Sequence, residues 1–186
     1  MAENLLIING SPRKDGFTNT ICADALKSVE FKNVAVFDCY ENNIRPCIDC
    51  RKCAEMGECV FDDLKEFFEL FEKTDVIVFL SPIYNGGFSA PLKALVDRLQ
   101  VYFNLFYKNG KIQQIKKRRK ALLLCAAGRD GADEFSYVKK QLERSFTILN
   151  ISLSGEVLCN NTDTHPDYEN SLKEFQTLLK RSLEDE

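Results

Sequence analysis

The 186-residue chain lacks the features that would assign it to several common protein classes. Its formal net charge is −3, so it has no excess of basic residues for binding nucleic acid or an anionic membrane surface. No apolar run approaches the length of a membrane span, and the first residues lack the basic-then-apolar pattern of a signal peptide. We therefore expect no nucleic-acid partner, no membrane association and a cytoplasmic location.

The chain also contains only one histidine, His165, and no internal repeat, low-complexity segment or linker. Its length suits one α/β domain, so we predict a single domain over residues 1–186. His165 precedes a proline and is interpreted as a loop residue. No pair of residues forms a convincing acid–base dyad, and we assign no catalytic residue.

Short apolar segments alternate with helical patterns along the chain, which is typical of a parallel sheet covered by helices on both faces. We predict strands at residues 5–8, 34–37, 76–80, 121–126 and 151–158, the last near a sheet edge. Apolar residues recur at helical spacing after each strand, and Asp63, Ser89 and Asp167 are predicted N-caps. The predicted fold is a doubly wound α/β sheet with strand order 2-1-3-4-5. Its ligand crevice lies at the carboxyl ends of strands 1 and 3.

The loop that follows the first strand, residues 9–20, is rich in glycine, hydroxyl and amide side chains. It matches neither a Walker loop nor a dinucleotide fingerprint. Its polar groups, placed before a helix, suit a monophosphate; the candidates are Ser11, Arg13, Thr18, Asn19 and Thr20. The alternative is a first helical turn that is capped by Thr18 or Asn19 and binds nothing.

Two further loops follow strands of the same predicted crevice. After strand three, residues 82–87 contain a proline that stiffens the exit and a Gly-Gly pair that lets a flat ligand approach the backbone. Tyr84 and Phe88 offer apolar surface there. After strand four, Gly128 lies in a loop that could close a third side, although turn chemistry explains that loop equally well.

Four of the eight cysteines, Cys47, Cys50, Cys53 and Cys59, fall in one segment with gaps of two, two and five residues. The others, Cys22, Cys39, Cys125 and Cys159, have apolar neighbours and are interpreted as buried hydrophobes. The compact spacing lets four thiolates face one centre, but the last gap differs from that of a bacterial ferredoxin. No histidine lies nearby for a mixed zinc site. An iron–sulfur cluster, free thiols and an all-cysteine zinc site remain open.

Several motifs together resemble the NAD(P)H-dependent FMN reductase family of flavodoxin-like proteins, closely over residues 1–100 and in element order beyond. They are Gly10-Ser11-Pro12-Arg13 with residues 16–20, Ser81-Pro82-Ile83-Tyr84, Ser89-Ala90-Pro91-Leu92-Lys93 and Asp97-Arg98. The resemblance implies non-covalent FMN, with its phosphate in the first loop. The flavin ring would lie along Pro82, Ile83, Tyr84, Asn85, Gly86 and Gly87, with Gly128 in a third loop that departs from the family pattern. Flavin N5 would accept hydride from NAD(P)H, which requires no acid–base residue.

The cysteine spacing also resembles the iron–sulfur flavoproteins, a branch of the same superfamily. That resemblance implies a [4Fe–4S] cluster held by Cys47, Cys50, Cys53 and Cys59. It also implies electron transfer between a reduced donor, NAD(P)H or ferredoxin, and a small-molecule or protein acceptor. The alternatives are a cluster-free NAD(P)H-dependent FMN or quinone reductase and a zinc-stabilised binding module without activity.

Two other segments have simpler interpretations. The cationic run at residues 116–120 precedes strand four, away from the crevice, and is predicted to be a solvated turn. The aromatic run at residues 102–107 exceeds what one helix end can bury. We expect it to contact a second subunit of a homodimer or homotetramer, or to cover the flavin.

Overall fold

The computed structural model describes residues 3–184. The strands are β1 (Asn4–Asn9), β2 (Asn33–Asp38), β3 (Val76–Pro82), β4 (Arg119–Ala126) and β5 (Ile151–Cys159). The helices are α1 (Phe17–Leu26), α2 (Cys53–Met56), α3 (Lys65–Lys73), α4 (Ala90–Arg98), α5 (Gln100–Lys108), α6 (Ala132–Leu149) and α7 (Tyr168–Ser182).

The strands form one parallel sheet of five strands in the order β2-β1-β3-β4-β5, which confirms the predicted order. Apolar side chains of α3, α4 and α6 pack on one face of this sheet, and those of α1 and α7 pack on the other. Because all five strands are parallel, the loops that follow β1, β3 and β4 leave from the carboxyl edge of the sheet, so the three candidate loops share that edge.

Burial along each strand follows its position in the sheet. In β3 every residue from Val76 to Ser81 is buried, because helices cover both faces of a central strand. In β2 the outward-facing Val34 and Val36 are 49% and 62% exposed, as an edge strand allows. The alternating burial of β5 at the opposite edge confirms its predicted edge position.

Helix starts agree with the prediction at two of four positions. Asp167 caps α7 by accepting a hydrogen bond from the Asn170 N–H at 3.1 Å, and Ser89 is the N-cap of α4 without a side-chain capping bond. The alternative cap of α1 by Thr18 or Asn19 is wrong, because that helix begins at Phe17, after Gly16, so both residues lie inside its first turn. The predicted Asp63 cap is also wrong, since Leu64 precedes α3 and the Asp63 carboxylate has another partner, described below.

The cationic run at residues 116–120 is only partly a solvated turn. Arg119 is 2% exposed and donates to the carbonyl oxygens of Phe71 at 2.5 Å and Leu149 at 2.8 Å. Burial lowers its pKa to about 10. The prediction is therefore wrong for Arg119, whose position at the start of a central strand places it under α3 and α6.

Within residues 3–184, no helix is both long and apolar enough to cross a membrane.

The end of β1 lies close to the end of β3 and to α4 at Gly10. Its N–H donates to the Leu80 carbonyl at 2.8 Å, which joins the ends of β1 and β3. A Cβ at this position would lie 2.7 Å from Leu92 Cδ2 and 2.9 Å from the Leu80 oxygen. Only glycine lets strand and helix approach this closely.

Gly10→Ala should therefore lower the free energy of unfolding by about 1–3 kcal/mol through overpacking, as measured by urea denaturation. Gly87→Ala is the matched control, because the nearest atom to a Cβ there is 3.9 Å away. Equal stability of the two variants would contradict the predicted overpacking.

Candidate functional site at the carboxyl edge of the sheet

Hydrogen bonds between neighbouring loops place the three candidate loops side by side. The Gly10–Leu80 bond joins the first loop to the end of β3, and the Ile83 N–H donates to the Ala126 carbonyl at 2.8 Å. The second bond joins the loop after β3 to the end of β4. The crevice predicted between strands 1 and 3 is thus bordered by the loops that carry the candidate residues.

The β1–α1 loop is shaped by its own polar groups. The Ser11 N–H donates to Asn9 Oδ1 at 3.0 Å, and the Arg13 N–H donates to Ser11 Oγ at 3.3 Å. The Arg13 carbonyl then accepts from the Gly16 N–H at 3.1 Å and from Asn19 Nδ2 at 2.7 Å. These bonds hold the loop in one conformation before any ligand binds, which lowers the ordering cost of binding.

The same loop leaves several donors without a protein partner in the part of the chain that the structure describes. They are the backbone N–H groups of the first turn of α1, Phe17 to Asn19, the Thr18 hydroxyl and the Arg13 guanidinium. Because α1 has ten residues, its dipole adds positive potential at these groups. The set suits an anion with several oxygen atoms.

Not all five predicted phosphate residues are equally placed to contact a ligand. The Thr20 hydroxyl donates to the Gly16 carbonyl at 3.1 Å, and the Asn19 amide is bonded within the loop. Ser11 is 7% exposed and Thr18 is 2% exposed, whereas Arg13 is exposed. The structure therefore divides the set into residues that shape the loop and groups, chiefly Arg13 and Thr18, that remain available.

The loop after β3 contains a tight turn over Tyr84, Asn85, Gly86 and Gly87. The Tyr84 N–H donates to the Gly87 carbonyl at 3.0 Å, and the Gly87 N–H donates to the Tyr84 carbonyl at 3.0 Å. Asn85 and Gly86 have φ of 50° and 76°, as a type I′ turn requires. Tyr84 is 45% exposed beside this turn, but Phe88 is 7% exposed and packs in the core, so its predicted role as ligand surface is wrong.

The third loop is covered by a segment that sequence reasoning missed, the β5–α7 loop. The Asp163 N–H donates to the Gly128 carbonyl at 3.2 Å, and a Cβ on Gly128 would lie 2.8 Å from Asp163 Cγ. Gly128 is thus needed for this close approach of Asp163. The Thr162 N–H also donates to the Ala127 carbonyl at 3.0 Å, so both loops border the site together.

All four cysteines of the segment line one narrow cavity with a volume of about 20 Å³. Its other wall is the end of α4 and the start of α5, residues 98–104, which we call the α4–α5 wall. Cys47 and Cys50 are exposed, Cys59 is half-buried and Cys53 is 8% exposed. In residues 3–184, no three cysteine, histidine or carboxylate side chains converge closely enough to hold a metal ion.

The remaining cysteines behave as predicted. Cys22, Cys39, Cys125 and Cys159 are buried. Burial raises the pKa of the Cys22 thiol to about 12 and that of Cys159 to about 11. These thiols stay protonated and unreactive at neutral pH, so thiol chemistry belongs to the segment.

One guanidinium holds both ends of the cysteine segment. Arg98, whose side chain is 1% exposed, bonds both carboxylate oxygens of Asp63 at 2.9 and 3.1 Å and the Arg45 carbonyl at 2.7 Å. The Arg45 N–H donates to the same carboxylate at 2.8 Å, and its guanidinium lies 3.7 Å from the centre of the Phe61 ring. Burial opposes ionisation of Asp63, but the bonds from Arg98 and Arg45 outweigh it and lower its pKa.

Two larger cavities, each about 570 Å³, lie outside the carboxyl-edge loops. One is at the amino edge of the sheet, bordered by Lys117, Arg118 and Asn150. The other borders the cysteine segment, between Cys59 and Glu72. Neither is formed by the β1–α1 loop, so cavity size alone does not locate the predicted site.

Comparison with known proteins matches residues 4–168 to the profile of the NADPH-dependent FMN reductase family. An iron–sulfur flavoprotein of Methanocaldococcus jannaschii is 30% identical over 155 residues, which cover 80% of this chain and 74% of that protein. An iron–sulfur flavoprotein of Archaeoglobus fulgidus is 37% identical over 94 residues, covering 49% of this chain and 48% of the relative. The chain thus spans about half the length of that second relative.

Among solved structures, an NAD(P)H:quinone oxidoreductase from Methanothermobacter marburgensis superposes with a TM-score of 0.74. It covers 100% of this chain and 98% of its own, at 18% sequence identity. At that identity the likeness concerns the fold, which is the flavodoxin-like arrangement predicted from the sequence.

The Arg98–Asp63 pair leads to a stability prediction. Asp63→Asn should lower the free energy of unfolding by roughly 3 kcal/mol, because it leaves a buried guanidinium without its counter-charge. The loss should be constant at neutral pH and should shrink as the pH falls through the lowered pKa of Asp63, since protonation then removes the charge from the wild type also.

Urea denaturation between pH 3 and pH 7 measures this difference. Asp62→Asn is the matched control, because Asp62 is exposed and should change stability by less than about 0.5 kcal/mol. A difference between wild type and Asp63→Asn that grows on acidification would contradict the pairing.

Proposed function

This chain belongs to the NADPH-dependent FMN reductase family, a family of oxidoreductases, and on that premise we propose that it is an FMN-dependent electron-transfer enzyme of the iron–sulfur flavoprotein type. It would form a single domain over residues 1–186 that moves electrons from NAD(P)H or ferredoxin to a small-molecule or protein acceptor. The main support is the set of unpartnered donors in the first turn of α1, at the edge where the β3 and β4 loops meet.

The phosphate of FMN would bind at the β1–α1 loop. The N–H groups of Phe17 to Asn19 and the Thr18 hydroxyl would donate to its oxygen atoms, and Arg13 would add a positive charge. Ser11, Asn19 and Thr20 would keep the loop in shape through the bonds they already make. These residues fit the group, since a dianion placed there meets several unpartnered donors of the described loop, and the Asp38 and Glu41 carboxylates that border the loop are already bonded to Asn9 and Lys14.

The flavin ring would lie along the loop after β3. Residues 82–87, namely Pro82, Ile83, Tyr84, Asn85, Gly86 and Gly87, expose backbone and one aromatic side chain around the type I′ turn. Gly128 and the covering Asp163 would border the third side. FMN, when bound, supplies hydride and single-electron chemistry, so the protein has to orient it and exclude water rather than provide an acid–base residue.

Cys47, Cys50, Cys53 and Cys59 would hold a [4Fe–4S] cluster. In their favour, four thiols line one cavity, no other side chain there competes with thiolates as a soft ligand, and a buried cation, Arg98, lies in its wall. Such a cluster would supply single-electron transfer.

We further propose assembly as a homodimer or homotetramer, with the aromatic residues 102–107 as candidate contacts. Two of them, Phe103 and Tyr107, are 41% and 54% exposed.

A cluster-free NAD(P)H-dependent FMN or quinone reductase is the second candidate. It is favoured by the observation that, in the described residues, the four thiols do not converge to metal-binding geometry. A zinc-bound segment would be a third outcome. These candidates differ in metal content and colour, which makes them easy to separate.

The phosphate site is tested by combining Arg13→Gln with Thr18→Val, which removes one charge and one hydroxyl while keeping the buried shape of Thr18. We expect FMN affinity, measured by quenching of flavin fluorescence, to fall by at least about tenfold. Lys14→Gln is the control, because Lys14 is exposed and already paired with Glu41 at 2.5 Å. Unchanged affinity in the double variant would remove the assignment.

The cysteine site is tested by iron and acid-labile sulfide analysis beside a visible spectrum of anaerobically purified protein. We expect about four iron and four sulfide per chain. Cys50→Ser should lose both and keep FMN, whereas Cys22→Ala should keep all three. Yellow protein without iron would favour the cluster-free reductase, and zinc in place of iron would favour the third outcome.

A further inference from the structure

The α4–α5 wall of the cysteine cavity makes a direct hydrogen bond to sulfur. Asn104 Nδ2 donates to Cys53 Sγ at 3.1 Å. Gln100 Nε2 in turn donates to Asn104 Oδ1 at 3.4 Å, which orients the amide so that its NH₂ group faces the thiol. Both side chains come from α5, so the helix presents a short polar relay to the cavity.

Asn104 is an unusual residue for its surroundings. It interrupts an apolar and aromatic run, residues 101–106, and is half-buried between that helix and the cysteine segment. A half-buried amide costs free energy that a leucine of similar size would not, unless its hydrogen bonds compensate. Packing alone therefore does not account for an amide at this position.

A second donor in the same wall lacks a partner. The terminal nitrogens of Arg98 are bonded to Asp63 and to backbone carbonyls, but its Nε is buried with no hydrogen-bond partner in the described part of the chain. Arg98 is 1% exposed and lines the cavity together with Cys59.

We propose that Asn104 is a positioning residue of the cysteine site: it directs an N–H donor at Cys53, and together with the buried charge of Arg98 in the same wall it sets how readily the site accepts an electron. This inference rests on the proposed function, since it needs the cluster. Four thiolates concentrate negative charge, and one added electron increases it by one unit. N–H donors and a buried cation stabilise the more negative state, so they favour reduction.

The test replaces Asn104 by Leu in protein reconstituted anaerobically with iron and sulfide. Dithionite supplies single electrons and is itself oxidised to sulfite, and the visible spectrum follows reduction. We expect a more negative midpoint potential in Asn104→Leu and about tenfold faster loss of iron to a chelator. Asn104→Gln, which keeps the donor, should restore at least part of both.

Asn109→Leu is the matched control, because Asn109 is exposed at the end of the same helix and should leave both readouts unchanged. If Asn104→Leu does not fold, as judged by loss of FMN binding, Gln100→Leu decides instead. It removes only the orienting bond and should shift the potential in the same direction by a smaller amount.

The outcomes separate the two proposals. Wild-type protein that takes up no iron overturns the cluster assignment and this inference with it. Wild type that holds the cluster, beside an Asn104→Leu protein with the same potential and the same iron retention, overturns this inference alone. A shift in the predicted direction with rescue by Asn104→Gln supports it, since a purely structural role would not give a donor-dependent potential.

Discussion

The absence of a side chain at Gly10 is the constraint on which the candidate site depends. Because a Cβ there would collide with Leu92 and with the Leu80 carbonyl, only glycine allows the ends of β1 and β3 to approach and the Gly10–Leu80 hydrogen bond to form. That approach occurs where the winding of the sheet reverses, so the chain leaves the two strands in opposite directions. The first turn of α1 and the Tyr84–Gly87 turn then lie along one edge of the sheet.

A second constraint, the buried Arg98, connects this scaffold to the cysteine segment. Residues 46–62 form a long connection with little regular structure, and such a segment has few interactions of its own to fix it. Arg98 binds Asp63 at one end and the Arg45 carbonyl at the other, which closes the connection against α4. One residue thus serves the fold through its terminal nitrogens and also lines the thiol cavity, while its Nε is buried without a hydrogen-bond partner in the described residues.

The strand order could be predicted because burial on both faces leaves continuous apolar runs, as in residues 76–80, and because alternation of strands and helices permits few topologies. Local rules failed where a distant partner intervened. The sequence around Asp63 satisfies a capping pattern, yet its carboxylate is used by Arg98, which is 35 residues away in the chain. Arg119 lies in a cationic run but is buried by α3 and α6. The Asn104–Cys53 bond joins residues 51 apart, and its only sequence signal is a polar residue in an aromatic run.

The most direct measurement of flavin binding at the β1–α1 loop is an amide NMR titration of ¹⁵N-labelled apoprotein with inorganic phosphate and then with FMN. Phosphate should move the amide signals of Phe17, Thr18 and Asn19, and FMN should move these together with those of the Tyr84–Gly87 turn. Shifts confined to the basic amino edge, around Lys117 and Asn150, would instead place the anion at the opposite end of the sheet and contradict the assignment.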